Sequence, residues 1–239
     1  MLDSRAKDRE CLDGPVVSPE LARWSYRLMA GVNRWLGGTR VVKQFVADEF
    51  RRRGRTSPLR LLDIGCGTAD IPFALQRWAS RRGMPLEIVA LERCPEAVTL
   101  ARRRIGNGSH AGIELRCEDV LTHCPSRHYD IAVGSMFFHH LDDIAILGLV
   151  RRLKAIVRGR LLINDLCRSY AHWLGGALLT LPLRSDVRHD ALLSIRRGFR
   201  AHELRALLQG TTEDLQVSTR HRWLFRVVAI VDLHPGAPP

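Results

Sequence analysis

No stretch of this chain stays apolar for the roughly 18 to 20 residues that a membrane span requires. The sequence also lacks a secretory pattern: its first ten residues carry Asp3, Arg5, Lys7, Asp8, Arg9 and Glu10 and contain no apolar core. Cysteine is sparse, six in 239 residues, and no two form Cys-x-x-Cys. That argues against a disulfide framework and against a metal centre of familiar ligand spacing, so reduced thiols in a cytoplasmic protein and no metal are expected. Internal repeats are missing. So are a long basic tail and any appended RNA-binding module, although the formal net charge is +12. The arginines fall in short clusters at 51–53, at 102–104 and at 196, 197 and 200, which reads as a basic solvated surface. A nucleic-acid footprint is the competing reading of that charge. An acidic carrier protein or a membrane surface is a further kind of partner it would favour.

What is present is a soluble-globular composition, 46% apolar and 26% charged, long enough for one α/β domain with a sizeable core. The chain is organised around residues 59–75. An apolar run ends in Asp63, Gly65-Cys66-Gly67 follows, and apolar residues at helical spacing begin after Asp70. That is strand, tight loop, helix. Glycines at 65 and 67 allow unusual backbone angles and close approach of a ligand. In an open α/β sheet this loop lies beyond the carboxyl end of the first strand, where ligands bind. A dinucleotide fingerprint would need glycine at position 70, which is aspartate.

Two further acids follow at the expected places. Leu86–Leu91 is a second apolar strand ending at Glu92, 27 residues beyond Gly65, where a carboxylate can accept from both hydroxyls of a ribose. The third strand, 112–117, is followed by Asp119 and Val120. The fourth, 129–134, runs into Ser135-Met136-Phe137-Phe138-His139-His140-Leu141. The fifth, 159–165, ends at Asn164-Asp165, and an antiparallel hairpin, 214–219 with 223–231, closes the chain. Before the first strand, Ser18 caps a helix bearing Leu21, Trp24, Leu28, Val32 and Trp35 on one apolar face, and Thr39 caps a second.

Asp63-x-Gly65-x-Gly67, with Ala69 where a third glycine would stand, resembles motif I of the class I S-adenosylmethionine (SAM) methyltransferases. Acids at the next two strand ends strengthen the likeness. The apolar pair followed by His-His-Leu is similar to motif IV of small-molecule methyltransferases of the quinone-biosynthesis type. The Asn/Asp-Pro-Pro-Tyr of nucleobase amine methyltransferases is missing.

The resemblance implies a Rossmann-like α/β fold: a seven-stranded, mostly parallel sheet with an antiparallel last strand and helices on both faces. A helical lid (18–55) would precede it and a cap (167–200) would be inserted after strand five. The single domain would span 18–233, between a flexible N-terminus (1–17) and a Gly/Pro tail (234–239). It implies SAM as cofactor, with S-adenosylhomocysteine (SAH) as product, held by Asp63, Gly65, Cys66, Gly67, Glu92, Arg93, Asp119, Val120 and Ser135. Trp24, Trp35, Asn164 and His189 are candidates for contact with a small aromatic, polyketide or lipid-like acceptor, free or carrier-bound. A histidine with pKa near 6.5 can take the proton of a phenol as it is methylated, so His140, and next His139, are the candidate bases. O- and C-methylation would use the same machinery. The alternatives are an RNA methyltransferase, which the basic charge would suit, and a non-catalytic or NAD-binding protein of the same fold. Monomer and homodimer both fit.

Overall fold

A computed structural model describes residues 2–14, 17–54, 58–105, 112–211, 214–222 and 225–236. Strands β1 (Leu59–Ile64), β2 (Leu86–Glu92), β3 (Ile113–Cys117), β4 (Ile131–Ser135), β5 (Arg160–Leu166), β6 (Gln216–Arg222) and β7 (Arg226–Asp232) form one sheet in the order β3-β2-β1-β4-β5-β7-β6. The first five are parallel. β7 runs antiparallel to both β5 and β6. The expected fold class is therefore found. Its order reverses between β1 and β4, and that switch opens a crevice at the strands' carboxyl ends. The tips that border it come from Ile64, paired with both Leu91 and Gly134, and from Ser135, paired with Asn164.

Alternation along the strands divides the core between the two faces. Leu62, Ile64, Leu161 and Ile163 pack with Ile146, Leu149, Val150 and Leu153 of helix α5 (Asp143–Ile156). Leu61, Ile131, Val133 and Leu162 point the other way, onto Val42, Phe45, Val46 and Phe50 of α2 (Gly38–Arg52) and onto α3 (Asp70–Ser80). Helix α4 (Pro95–Ile105) joins the same face through Ala101 and Ile105.

Helix α1 (Pro19–Trp35) begins as its sequence dictates, with the Ser18 hydroxyl accepting from the Leu21 N–H and Pro19 in the first turn. The cap expected at Thr39 is instead Gly37, whose φ of 83° only glycine adopts freely. The insertion after β5 is a pair of helices, α6 (Tyr170–Leu179) and α7 (Ser185–Arg197), followed by α8 (Ala201–Gln209). The sixth strand begins at Gln216 rather than Asp214, and Trp223, expected to open the seventh, lies outside the described residues, as do 237–239 of the tail.

The N-terminal segment, read from its mixed charge as loosely attached, lies against the body. Leu2 is buried, and its carbonyl accepts from Arg168 Nε (3.0 Å) and Arg200 Nη2 (3.1 Å). Arg5 donates to the Arg197 and Leu141 carbonyls and pairs with Asp143. Asp190 of α7 receives the backbone N–H groups of Cys11 and Leu12. Of the charges that made this stretch look solvated, Arg5 and Glu10 turn inward and dock it, while Asp3, Lys7, Asp8 and Arg9 stay exposed.

Arg168 is the buried centre of that attachment. It binds the Leu2 and Gly198 carbonyls and both carboxylate oxygens of Glu203. Arg168→Met should strand the Gly198 carbonyl, leave the Leu2 carbonyl to Arg200 alone and destabilise the protein by about 1 to 3 kcal/mol, read as a lower urea midpoint. An unchanged midpoint would show that the bonds of Arg168 add nothing to the fold.

Candidate active site

The loop after β1 carries three successive left-handed residues at alternate positions, Gly65 (φ 63°), Gly67 (φ 54°) and Ala69 (φ 55°). Ala69 takes the position of the missing third glycine by accepting a conformation that an L-residue holds at a cost of about 1 to 2 kcal/mol. The coil is pinned at two points. Cys66 N–H donates to the Leu91 carbonyl, and Gly67 N–H donates to Glu92 Oε2 at 2.9 Å. The other Glu92 oxygen accepts from Cys94 N–H, also at 2.9 Å. Each Glu92 oxygen keeps a lone pair beyond these bonds.

A cavity opens above this loop. Its floor is Asp63, Gly65, Cys66 and Gly67, with Thr68, Asp70 and Ile71 beside them and Ser135 and Met136 across the switch point. Met136 turns the chain there in a left-handed conformation (φ 54°), its N–H donating to the Asn164 carbonyl. The roof is one face of α1: Tyr26, Met29 and Asn33, spaced three and four. The Tyr26 ring sits over Gly67, 3.6 Å from where a Cβ would be.

The electrostatics are dominated by carboxylates with too few cations. Burial, then Asp70 and Glu92, hold Asp63 well above the usual carboxylate range. Burial raises Asp70 too, against a hydrogen bond from Asn33 Nδ2 at 3.1 Å. Burial and the Glu92 charge push the Tyr26 phenol up. One buried guanidinium, Arg226, reaches this end through Asn33, whose Oδ1 accepts from Arg226 Nη2 at 2.9 Å, and Arg104 donates to Thr68 at its edge. Such a site has room for positive charge.

The structure brings together Asp63, Gly65, Cys66, Gly67 and Ser135 on the cavity and sets Glu92 against its loop. Val120 is buried, and Asp119 accepts from the Leu121 N–H, next to Glu92, whose carbonyl accepts from Glu118. The Arg93 side chain is exposed. Asn164 is buried below Ser135, donating to its hydroxyl at 2.9 Å and to the Gly38 carbonyl; its Oδ1 has no partner among the described residues. Trp24 and Trp35 are not brought to the cavity. They are 44% and 74% exposed, with Arg27 and Arg34 over their rings, because α1 buries the neighbouring face of Leu21, Ala22, Ser25 and Asn33. His189 is exposed on α7.

The histidine pair also lies off the cavity lining. A 3-10 turn, Phe138–His140, directs it beneath the N-terminal segment. His139 Nδ1 meets Asp165 Oδ1 at 2.6 Å, and its backbone N–H donates to Oδ2. His140 Nδ1 meets Asp13 Oδ2 at 3.0 Å. Burial would raise Asp13, but His140 and Arg197 bring it down to about 2. Tyr26, Met29, Asn33 and Met136 were not singled out by sequence. The three on α1 share helical spacing, but nothing in a sequence says which helix face looks inward when that face is polar.

A family model described as a methyltransferase domain matches residues 38–226. A curated relative, the ubiquinone biosynthesis O-methyltransferase of Rhodopseudomonas palustris, is 27% identical over 139 residues, covering 54% of this chain and 50% of that protein. The chain thus spans about half the length of that relative. Among solved structures, the plantazolicin methyltransferase BpumL in complex with SAH superposes with a TM-score of 0.69 at 14% identity, over 90% of this chain and 94% of that one. The magnesium protoporphyrin IX methyltransferase of Synechocystis with bound SAM gives 0.55 at 13%, over 92% and 86%. At these identities the structures speak for the fold.

The raised Asp63 carboxyl has a consequence for stability. Its proton is held more tightly folded than unfolded, so the stability it allows is complete at pH below the ordinary carboxylate range and is lost as pH rises through the folded value. Asp63→Asn should therefore raise the melting temperature of the ligand-free protein at pH 7.5 and flatten its dependence on pH above 4. A melting temperature that falls, with the slope unchanged, would show that Asp63 is not held protonated by its surroundings.

Proposed function

The chain belongs to the class I SAM-dependent methyltransferases, and from that premise we propose that it transfers a methyl group from SAM to a hydroxyl, or an activated carbon, of a small aromatic, polyketide or lipid-like metabolite. The observation that carries the reading is the cavity at the switch point, where Asp63, Asp70 and Glu92 crowd a glycine loop. SAM is a cation at its sulfonium and its amine, and a carboxylate-rich, partly desolvated cleft suits it. The NAD-binding alternative needs donors for two phosphates, which this lining does not favour.

In this reading Glu92, already oriented by Gly67 and Cys94 N–H groups, offers its free lone pairs to the two ribose hydroxyls. Asp119 and Val120 take the adenine. Gly67 leaves the backbone bare for close approach beneath Tyr26, while Gly65 makes room for the Phe137 ring, 2.3 Å from where its Cβ would stand. Asp63 and Asp70 face the amine end, and Tyr26, Met29 and Asn33 close over it from α1. When bound, SAM supplies an activated methyl group on a good leaving group. The chain's own contribution is to hold the acceptor in line and exclude water. Met29, Ile71 and Met136 give the cavity an apolar wall for the acceptor. The likeness to an O-methyltransferase of ubiquinone biosynthesis supports a phenolic acceptor. Deprotonation by His139 or His140 would require a path past residues 10–13, so alignment is the favoured source of rate.

The test is calorimetry with SAM and SAH, followed by transfer of labelled methyl groups to a panel of phenols, enolic polyketides and RNA. Tight SAM binding with labelled phenols and unlabelled RNA is the expected result; RNA labelling would favour the nucleic-acid reading. Glu92→Gln keeps the shape but sets an NH₂ against Gly67 or Cys94 N–H and loses charge-assisted acceptors. SAM affinity should fall at least about tenfold, the equivalent of one such bond, while the melting curve shows an intact fold. Unchanged affinity would remove Glu92 from the ribose.

A further inference from the structure

The fold assembles a second cluster of ligating groups at some sequence distance. A carboxylate oxygen of Glu10 and one ring nitrogen each from His139 and His140 all lie within 4.8 Å of one another. Glu10 and His139 are buried, 5% and 1% exposed. His139 Nε2 and Glu10 Oε1 stand 3.7 Å apart. That is too long for a hydrogen bond, and it is a separation that two ligands on one metal adopt at about 2.0 to 2.2 Å each.

The surroundings point the same way. Nδ1 of His139 is held by Asp165 and Nδ1 of His140 by Asp13. A proton on Nδ1, donated to a carboxylate, leaves the lone pair on Nε2; carboxylate–histidine tethers of this kind orient metal ligands. The rings lie against each other, with centroids 4.1 Å apart and planes tilted by 37°. The third ligand is steadied as well, Ser194 Oγ donating to Glu10 Oε1 at 2.7 Å. Glu10, Asp13 and Asp165 bring three carboxylates, against Arg197, which is 3.0 Å from Asp13 and 4.0 Å from Glu10. Arg5, the next guanidinium, is taken up by Asp143.

We propose that Glu10, His139 and His140 bind a transition-metal dication, tethered through Asp165 and Asp13, and that this ion fastens the N-terminal segment to the turn after β4. Two imidazoles and one carboxylate suit Zn²⁺ or Co²⁺ rather than Mg²⁺ or Ca²⁺. The position is independent of the methyl-donor cavity. Its ligands are outside that lining, so the proposal stands or falls apart from the assigned activity.

The probe is Co²⁺ titrated into the full-length protein after chelator treatment. One equivalent should bind, with visible d–d bands of nitrogen and oxygen ligation and without the thiolate charge-transfer band that the six cysteines would give. Glu10→Gln preserves shape and should weaken binding at least about tenfold, and Asp13→Asn, which loosens the His140 tether, by about 10- to 100-fold. Zn²⁺ should slow trypsin cleavage after Lys7 and Arg9 in the parent protein but not in Glu10→Gln. Absence of Co²⁺ uptake would mean a hydrogen-bonded network of histidines and carboxylates only, and would overturn the proposal. A thiolate band, or an affinity indifferent to Glu10→Gln with both proteins folded by circular dichroism, would overturn it equally.

Discussion

A buried guanidinium and a half-buried carboxylate at the heart of this molecule are joined by an amide rather than by contact. Arg226, at the first position of β7, donates to Asn33 Oδ1, and Asn33 Nδ2 donates to Asp70 at the start of α3. One orientation of the amide satisfies both neighbours, so the relay fixes the rotation of α1 about its axis. That rotation puts Tyr26 and Met29 over the glycine loop and leaves Trp24 and Trp35 in solvent. The price of burial shows at both ends, with Arg226 lowered to about 10 and Asp70 raised. Gly38 is part of the same arrangement. A Cβ there would stand 2.6 Å from Asn33 Oδ1 and 2.8 Å from Arg226 Nη2, so the second glycine of Gly37-Gly38 makes room for the relay.

The sheet was legible because its evidence is local. Apolar runs, the Gly-x-Gly turn and acids at strand tips are each readable within a few residues, and they located Asp63, Glu92 and the antiparallel hairpin. The α1 face was misread for a physical reason. Its apolar stripe of Leu21, Trp24, Leu28, Val32 and Trp35 is a real periodicity, but a buried Asn33 wins because Arg226 and Asp70 supply polar partners from residues far along the chain. Helical spacing identifies a stripe and cannot weigh partners that the fold has not yet brought near. The same limit hid the ring of contacts around the histidines. His139 and His140 stood out as a pair, yet Glu10, Asp13 and Asp165 reach them only once the chain is folded.

The two ends of the loop after β4 are specialised in opposite directions. Ser135 and Met136 face the cavity, whereas Phe138 goes into the core and His139 into a pocket of carboxylates. Gly134 permits this division, since a Cβ there would lie 2.5 Å from the Phe138 ring. Five consecutive residues, 135–139, thus serve cavity, core and N-terminal attachment in turn.

The docking of residues 2–14 also sets an order of events during synthesis. The segment is made well before Arg168, Asp190, Ser194, Arg197 and Arg200, which hold it. At ribosomal rates of about 5 to 20 residues per second, it emerges roughly 10 to 40 s before its partners. For that interval Leu2 and the charged residues after it are free to meet chaperones or modifying enzymes, and the sheet's first strands form without them. Residues 2–14 can therefore find their place only after the residues that hold them are made, although they are synthesised well before them.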